Sequence, residues 1–284
     1  MTGQTGIPCE DFGGDGPPLH FAHANGYPPA AYRLLLEELS KHYRVKAMRM
    51  RPLWPSADPL EFSDWRILAD DLEQFLNQQC LHELIGIGHS MGATTTLRLA
   101  LRQPERFRFL VLIDPVIFPP LTGIAWDIIF RLGLAYRLHP LVKGALRRRT
   151  CFENDSAMFT NYRKKAIFRR MNDESLRAYV DALACQDQAG QIQLCYPADW
   201  EARIYVTGIR ADLELWRQLP RLLPPILFLR GSMSDTFYPK TARMVQRRLK
   251  TARITTIPDS THLVPLEKPY LVYKEIIQFL SEGT

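Results

Sequence analysis

Cysteine is scarce in this chain, long apolar runs are absent, and charge is close to balanced. The five cysteines among 284 residues are odd in number and scattered, which predicts no disulfide framework and a reducing, cytoplasmic setting. None stands at metal-ligand spacing from a histidine, so no metal site is expected. No apolar stretch approaches the about 18–20 residues of a membrane span, so no integral membrane segment is expected. The stretch Met1 to Gly16 lacks the basic start and apolar centre of a secretory signal and reads as a loose arm or a short early strand. A net charge of +6 without any recognition motif argues against a nucleic-acid partner.

What is present is the composition of an ordinary globular protein, 46% apolar, with a chain long enough to bury a substantial core. Its most informative stretch is Gly88-His89-Ser90-Met91-Gly92. The pentapeptide follows the apolar run Leu84-Ile85-Gly86-Ile87 and precedes a helical stretch from Ala93 to Arg102. Strand, sharp turn and helix make the G-x-S-x-G pattern a nucleophile elbow, in which a strained turn exposes the serine hydroxyl and the glycines let neighbouring backbone pass. A dinucleotide-binding fingerprint fails here, because after Gly86 and Gly88 it requires a small residue where Met91 stands.

A serine hydroxyl needs a base, an orienting acid and an oxyanion site. Pro225 to Gly231 reads as a buried strand followed by Ser232-Met233-Ser234-Asp235, and Arg253 to Pro258 as the next strand, with His262 in the loop beyond. Side chains at the carboxyl ends of successive strands converge on the crevice of an open α/β sheet. His262 is therefore the expected base and Asp235 the expected acid. Asp114, which ends the strand Phe109 to Ile113 and precedes Pro115, is the alternative acid; turn formation is its simpler role. Ahead of these, Pro18 to Ala22 is strand-like and leads into His23-Ala24-Asn25-Gly26. The amide of Met91 and, from this loop, that of Ala24 are the expected oxyanion donors. His23 reads as a loop brace rather than a second base, and Asn25-Gly26 as the turn.

On these residues the chain resembles the α/β-hydrolase fold family, over roughly positions 15–118 and 221–284. The resemblance rests on Ser90 in its elbow, the His23-Ala24-Asn25-Gly26 loop, Asp235 and His262. It implies a mostly parallel central sheet flanked by helices, a core formed by residues 1–118 and 221–284, and a helical lid formed by 119–220. It also implies cofactor-free hydrolysis of a small-molecule acyl substrate, an ester before a thioester, amide, lactone or carbon–carbon bond, with acyl transfer as the enzymatic alternative. A binding protein that kept the fold and lost the chemistry is the non-enzymatic alternative. Two departures stand out: His-Ala replaces a frequent His-Gly, and threonine rather than glycine precedes His262. Serine rather than aspartate at the nucleophile position argues against epoxide or carbon–halogen hydrolysis. Oligomeric state is open.

Elsewhere the pattern alternates strands and helices. Arg44 to Met50 reads as a strand, and Asp64 to Gln78 as an amphipathic helix with Asp70-Asp71 on its solvated face. Pro269 opens a last helix. The proline-bracketed segment 119–220 is helical in texture and carries 15 Lys/Arg against 11 Asp/Glu, four of the chain's six excess positive charges. Its clusters, Arg147-Arg148-Arg149, Arg163-Lys164-Lys165 and Arg169-Arg170, read first as a solvated face and second as an attractor for an anionic substrate, membrane surface or acidic partner.

Overall fold

Runs of Val, Ile, Leu and Phe that are apolar at every position, rather than at alternate ones, call for strands covered on both faces. The computed structural model, which describes residues 6–186, 190–210 and 212–282, has them in that setting. The chain runs β1 (Cys9–Gly13), β2 (Pro18–Ala22), α1 (Arg33–Ser40), β3 (Arg44–Met48), α2 (Arg66–Gln78), β4 (Leu84–His89), α3 (Met91–Arg102) and β5 (Phe107–Ile113). An intervening segment follows: α4 (Pro120–Arg131), α5 (Ala135–Leu138), α6 (Val142–Arg147), β6 (Cys151–Phe152), α7 (Asp155–Arg163), α8 (Asp173–Leu183), β7 (Ala184–Gln186), β8 (Ile192–Leu194), α9 (Ala198–Thr207) and α10 (Asp212–Gln218). The sheet then resumes with β9 (Ile226–Gly231), α11 (Pro239–Arg248), β10 (Arg253–Ile257), α12 (Val264–Glu267) and α13 (Pro269–Glu282).

The strand order is β1-β3-β2-β4-β5-β9-β10, antiparallel only at β1–β3 and parallel throughout the rest. Phe21, Ile87, Val111 and Leu229 point into one apolar layer with residues of α1 and α13; Ala22, Leu110, Leu112 and Phe228 point into the opposite layer with α2 and α3. Because β4, β5, β9 and β10 are parallel neighbours, their carboxyl ends share one edge of the sheet, and the loops that follow them meet there. The early strand expected within the first sixteen residues is β1, and residues 1–5 of that arm lie outside the described residues.

Three sequence expectations need correction. The intervening segment is not wholly helical, since β6, β8 and β7 form a three-stranded antiparallel sheet in that order. Nor are its cysteines all free: Cys185 and Cys195, ten residues apart, are joined by a disulfide with a Cα–Cα distance of 5.5 Å. Pairing of β7 with β8 brings the two together, and the bond removes the ground on which a reducing compartment was expected. Third, Asp71 is buried on α2 and held bidentately by Arg51, with Nε–Oδ2 at 2.8 Å; only Asp70 lies on the solvated face. That pair ties the proline-rich loop after β3 to α2.

The intervening segment is fastened to the core by buried polar contacts. Arg98 of α3 and Asp212 of α10 pair at 2.8 Å with both side chains inside, and the Trp65 indole donates to the Ile204 carbonyl at 3.1 Å. Among the described residues no helix is long and apolar enough to cross a membrane.

Candidate active site

Ser90 stands between the last residue of β4 and the first of α3 with φ 55° and ψ −118°, a left-handed conformation that costs a non-glycine residue of order 1–3 kcal/mol. The flanking glycines make the turn possible. A Cβ at Gly88 would lie 2.6 Å from the Ala93 nitrogen, and one at Gly92 would lie 2.1 Å from the Ala22 carbonyl oxygen. Strain concentrated on a serine at the head of a buried helix aims its hydroxyl at the shared strand edge. Its side chain makes no cap bond to α3, so it does not occupy the first-turn amides that begin with Met91.

His262 arrives from the loop after β10, and its Nε2 lies 2.8 Å from Ser90 Oγ. Asp235, expected as its partner, is not brought to the imidazole. Asp235 is exposed, and its Oδ1 accepts from the Thr236 hydroxyl at 3.3 Å. Asp114 is the carboxylate behind the imidazole, with Oδ2 3.4 Å from His262 Nδ1 and neither atom holding another hydrogen-bond partner among the described residues. Asp114 is 0% exposed and adopts φ 43°, a second strained non-glycine residue in the crevice. Its amide donates to the Leu229 carbonyl at 2.7 Å, which locks the residue against the neighbouring strand β9. Burial pushes the Asp114 carboxyl above the usual range, opposed by its hydrogen-bonding and charge contacts with His262 and by the hydrogen bond from Ser234.

The loop that carries Asp235 contributes through a different residue. Ser234 donates to Asp114 Oδ1 at 2.8 Å, while its oxygen accepts the amides of Thr236 and Phe237, each at 3.1 Å. Sequence reasoning passed over Ser234, since no local pattern marks a serine that supports a carboxylate on another strand.

A second feature missed in the sequence is a chain of bonds behind Ser90. A carbonyl only accepts, so the 2.8 Å contact between His89 Nε2 and the His262 carbonyl puts the proton on Nε2. His89 Nδ1 therefore accepts from the Tyr32 hydroxyl at 2.7 Å, and that hydroxyl accepts from the Ala24 amide at 3.3 Å. Burial, reinforced by His262, holds the His89 pKa well below the imidazole range, so the ring stays neutral. One network thus joins the elbow, the His262 loop and the early loop. The Ala24 amide, expected to be a free oxyanion donor, is directed at Tyr32. The one available signal was His89 itself, the variable residue inside the elbow motif.

His23 is the brace that the sequence suggests. Its Nε2 accepts from the Met50 amide at 3.0 Å, so Nδ1 carries the proton toward the Ala24 carbonyl at 2.8 Å. Burial lowers its pKa to about 4. Asn25 fastens the loop to the intervening segment, with Nδ2 donating to the Glu201 carbonyl at 3.0 Å and Oδ1 accepting from the Tyr196 hydroxyl at 2.9 Å. Among the described residues no three His, Cys, Asp or Glu side chains gather as a metal-ligand set.

The basic clusters separate into distinct roles. Arg163 donates to the carbonyls of Phe168, Met171 and Asn172, which closes the turn after α7. Arg147, Arg149, Lys164 and Arg169 are exposed, whereas Arg148 reaches inward to Glu201.

Among curated proteins, the chain is 25% identical over 213 residues to the peroxisomal membrane protein LPX1 of Saccharomyces cerevisiae, covering 69% of this chain and 52% of the relative. The chain therefore spans about half the length of that relative. It is 25% identical over 241 residues to esterase YbfF of Escherichia coli, covering 83% and 81%. The crystal structure of E-2-(acetamidomethylene)succinate hydrolase superposes with a TM-score of 0.77 at 19% identity, covering 96% of this chain and 94% of that one. The model of the alpha/beta hydrolase family matches residues 21–275, and this protein belongs to that family.

Proposed function

We propose that the protein is a serine hydrolase that cleaves an ester-type acyl substrate through a Ser90–His262–Asp114 triad. The observation that carries this is the 2.8 Å contact of Ser90 Oγ with His262 Nε2 at a strained turn, backed by a buried carboxylate at His262 Nδ1. Ser90 Oγ attacks the acyl carbonyl while His262 Nε2 takes its proton. The imidazolium so formed is stabilised by Asp114 and then protonates the departing alkoxide. Water repeats the sequence on the acyl-enzyme and restores Ser90. The oxyanion is met by the Met91 amide at the head of α3, where the helix dipole adds to the donor. Ala24 is the weaker donor, because its amide already has Tyr32.

Residues 119–220 serve as a lid over the shared strand edge, excluding water and shaping the acyl pocket. Esters come first because an alkoxide leaves more readily than an amine; a thioester, a carbon–carbon bond or an acyl acceptor other than water would use the same groups. A fluorophosphonate probe tests the chemistry against a non-catalytic binding protein. The expected result is a single adduct at Ser90 and hydrolysis of short p-nitrophenyl esters, with Ser90→Ala losing both and turnover falling about a million-fold. An unlabelled folded protein, or a Ser90→Ala variant within tenfold of wild type, removes Ser90 from the mechanism.

A further inference from the structure

Across the Asn25–Tyr27 loop from Ser90 lies a second concentration of buried polar groups, contributed almost entirely by the intervening segment. Arg148, just after α6, pairs with Glu201 of α9 (Nη1–Oε2 2.5 Å), with side chains only 10% and 13% exposed. Its Nη2 also donates to the Tyr196 carbonyl. Glu201 is committed further, since Oε1 accepts from the Tyr205 hydroxyl at 3.3 Å. The donors of the cluster are not all used. Among the described residues, Arg148 Nε is buried without a hydrogen-bond partner, and so is the hydroxyl of Tyr162, a residue 2% exposed. The Lys165 ammonium is half-buried 4.2 Å from the centre of the Tyr162 ring and has no ion pair among the described residues.

The cluster thus contains two cations, one carboxylate and a phenol with nothing to donate to. A buried polar group without a partner destabilises the fold, and more so when charged. An arrangement built only to pin the intervening segment would need Arg148 and Glu201 and could leave Lys165 in water. Burial lowers the Lys165 pKa, the Arg148 charge lowers it further and the Glu201 charge opposes both.

The position relative to the nucleophile follows from the loop. A Cβ on Gly26 would lie 3.6 Å from the Glu201 carboxylate, and Asn25 is bonded at both ends to Glu201 and Tyr196. Tyr27, the next residue, has Tyr32 of the His89 network among its electrostatic neighbours, together with Glu201, Tyr162 and Tyr205. The cluster is therefore one loop away from the place where the scissile carbonyl would sit.

We propose that Arg148, Lys165 and Tyr162 form a subsite for a carboxylate at the distal end of the acyl chain, so that the preferred substrates are esters of dicarboxylic acids. One excess positive charge matches a monoanion rather than a phosphate dianion. A planar carboxylate has four lone-pair sites, enough to match the Arg148 Nε, the Lys165 ammonium and the Tyr162 hydroxyl as donors. This rests on Ser90 being the nucleophile.

The test compares mono-p-nitrophenyl esters of dicarboxylic acids with methyl-terminated esters of equal length, over a series of chain lengths. At the best length, wild type should favour the carboxylate-terminated ester by at least tenfold in kcat/KM. Lys165→Met and Tyr162→Phe should each shrink that ratio at least fivefold, with melting temperatures confirming the fold. Independently of turnover, the free dicarboxylate of best length should slow fluorophosphonate labelling of wild type and slow it less in Lys165→Met. A ratio near one at every length, or a ratio unchanged in both variants, overturns the subsite. When that outcome accompanies normal labelling and neutral-ester hydrolysis, only the subsite has failed. Absence of both labelling and hydrolysis removes the nucleophile and the subsite together.

Discussion

Replacing Asp114 by asparagine tests the site at the point where fold and sequence disagree. In the native crevice Ser234 donates to Asp114 Oδ1 at 2.8 Å, and Oδ2 faces His262 Nδ1 at 3.4 Å. Asparagine keeps the shape, and the Ser234 bond retains its oxygen on the Oδ1 side. The amide nitrogen then points at His262 Nδ1, which becomes an acceptor and forces the ring proton onto Nε2, 2.8 Å from Ser90 Oγ. A protonated Nε2 cannot take the serine proton. The loss expected from such a tautomer lock is about ten-thousand-fold, or about 5.4 kcal/mol in transition-state stabilisation. Asp235→Asn, at an exposed residue that accepts from its neighbour Thr236, should stay within about twofold of wild type. The assay is kcat/KM on a p-nitrophenyl ester, with the melting temperature as control. Because burial already disfavours the charged form of Asp114, a neutral amide should cost little stability, so the lost rate will not reflect unfolding. An Asp114→Asn variant retaining more than a tenth of the activity, or an equally impaired Asp235→Asn, would refute the assignment.

Three more outcomes follow from the contacts. Ser234→Ala deletes the hydrogen bond to Asp114 and should lower kcat about tenfold, as expected for a charged hydrogen bond of about 1.5 kcal/mol; an unchanged kcat would mean that Asp114 needs no support. His20, lowered to about 3, His23, lowered to about 4, and His89, lowered well below 6.5, are all neutral in the folded protein because of burial. Their stabilising neutrality is complete above about pH 6.5 and lost as pH falls toward 4, since the unfolded chain then binds more protons. With three such groups the slope approaches about 4 kcal/mol per pH unit, and urea unfolding showing uptake of less than one proton in that window would contradict it. Finally, Cys185→Ser with Cys195→Ser opens a loop of sequence separation 10, worth up to about 3 kcal/mol, and should lower the urea midpoint; a midpoint equal to that of the oxidised wild type would show that β7–β8 pairing alone restrains the hairpin.

The elbow was readable because it is local. Leu84 to Gly92 carries its strand, its turn and its glycines within one short stretch, and the clash a Cβ would make at Gly92 is with the adjacent strand that any such sheet supplies. The approach of His262 to Ser90 was readable because a histidine after the last strand of a parallel sheet has few places to go. Local periodicity likewise delivered α2, β5, β10 and α13 to within a residue or two. The acid was a different matter. Asp114 and Asp235 both follow strands whose ends meet the same crevice, and the choice between them lies in side-chain direction, which local pattern does not carry. Tertiary structure sets which carboxylate faces His262: the Asp114 amide is held by Leu229 of β9, its φ turns positive, and its carboxylate lies inward beside His262, while Asp235 faces solvent. The same holds for the Tyr32–His89 network, the Cys185–Cys195 bond and the Arg148–Glu201 pair, whose partners are separated by 57, 10 and 53 positions respectively. Short-range sterics and periodicity are written along the chain; partnerships between buried polar groups exist only after packing has removed the water that would otherwise satisfy each of them alone.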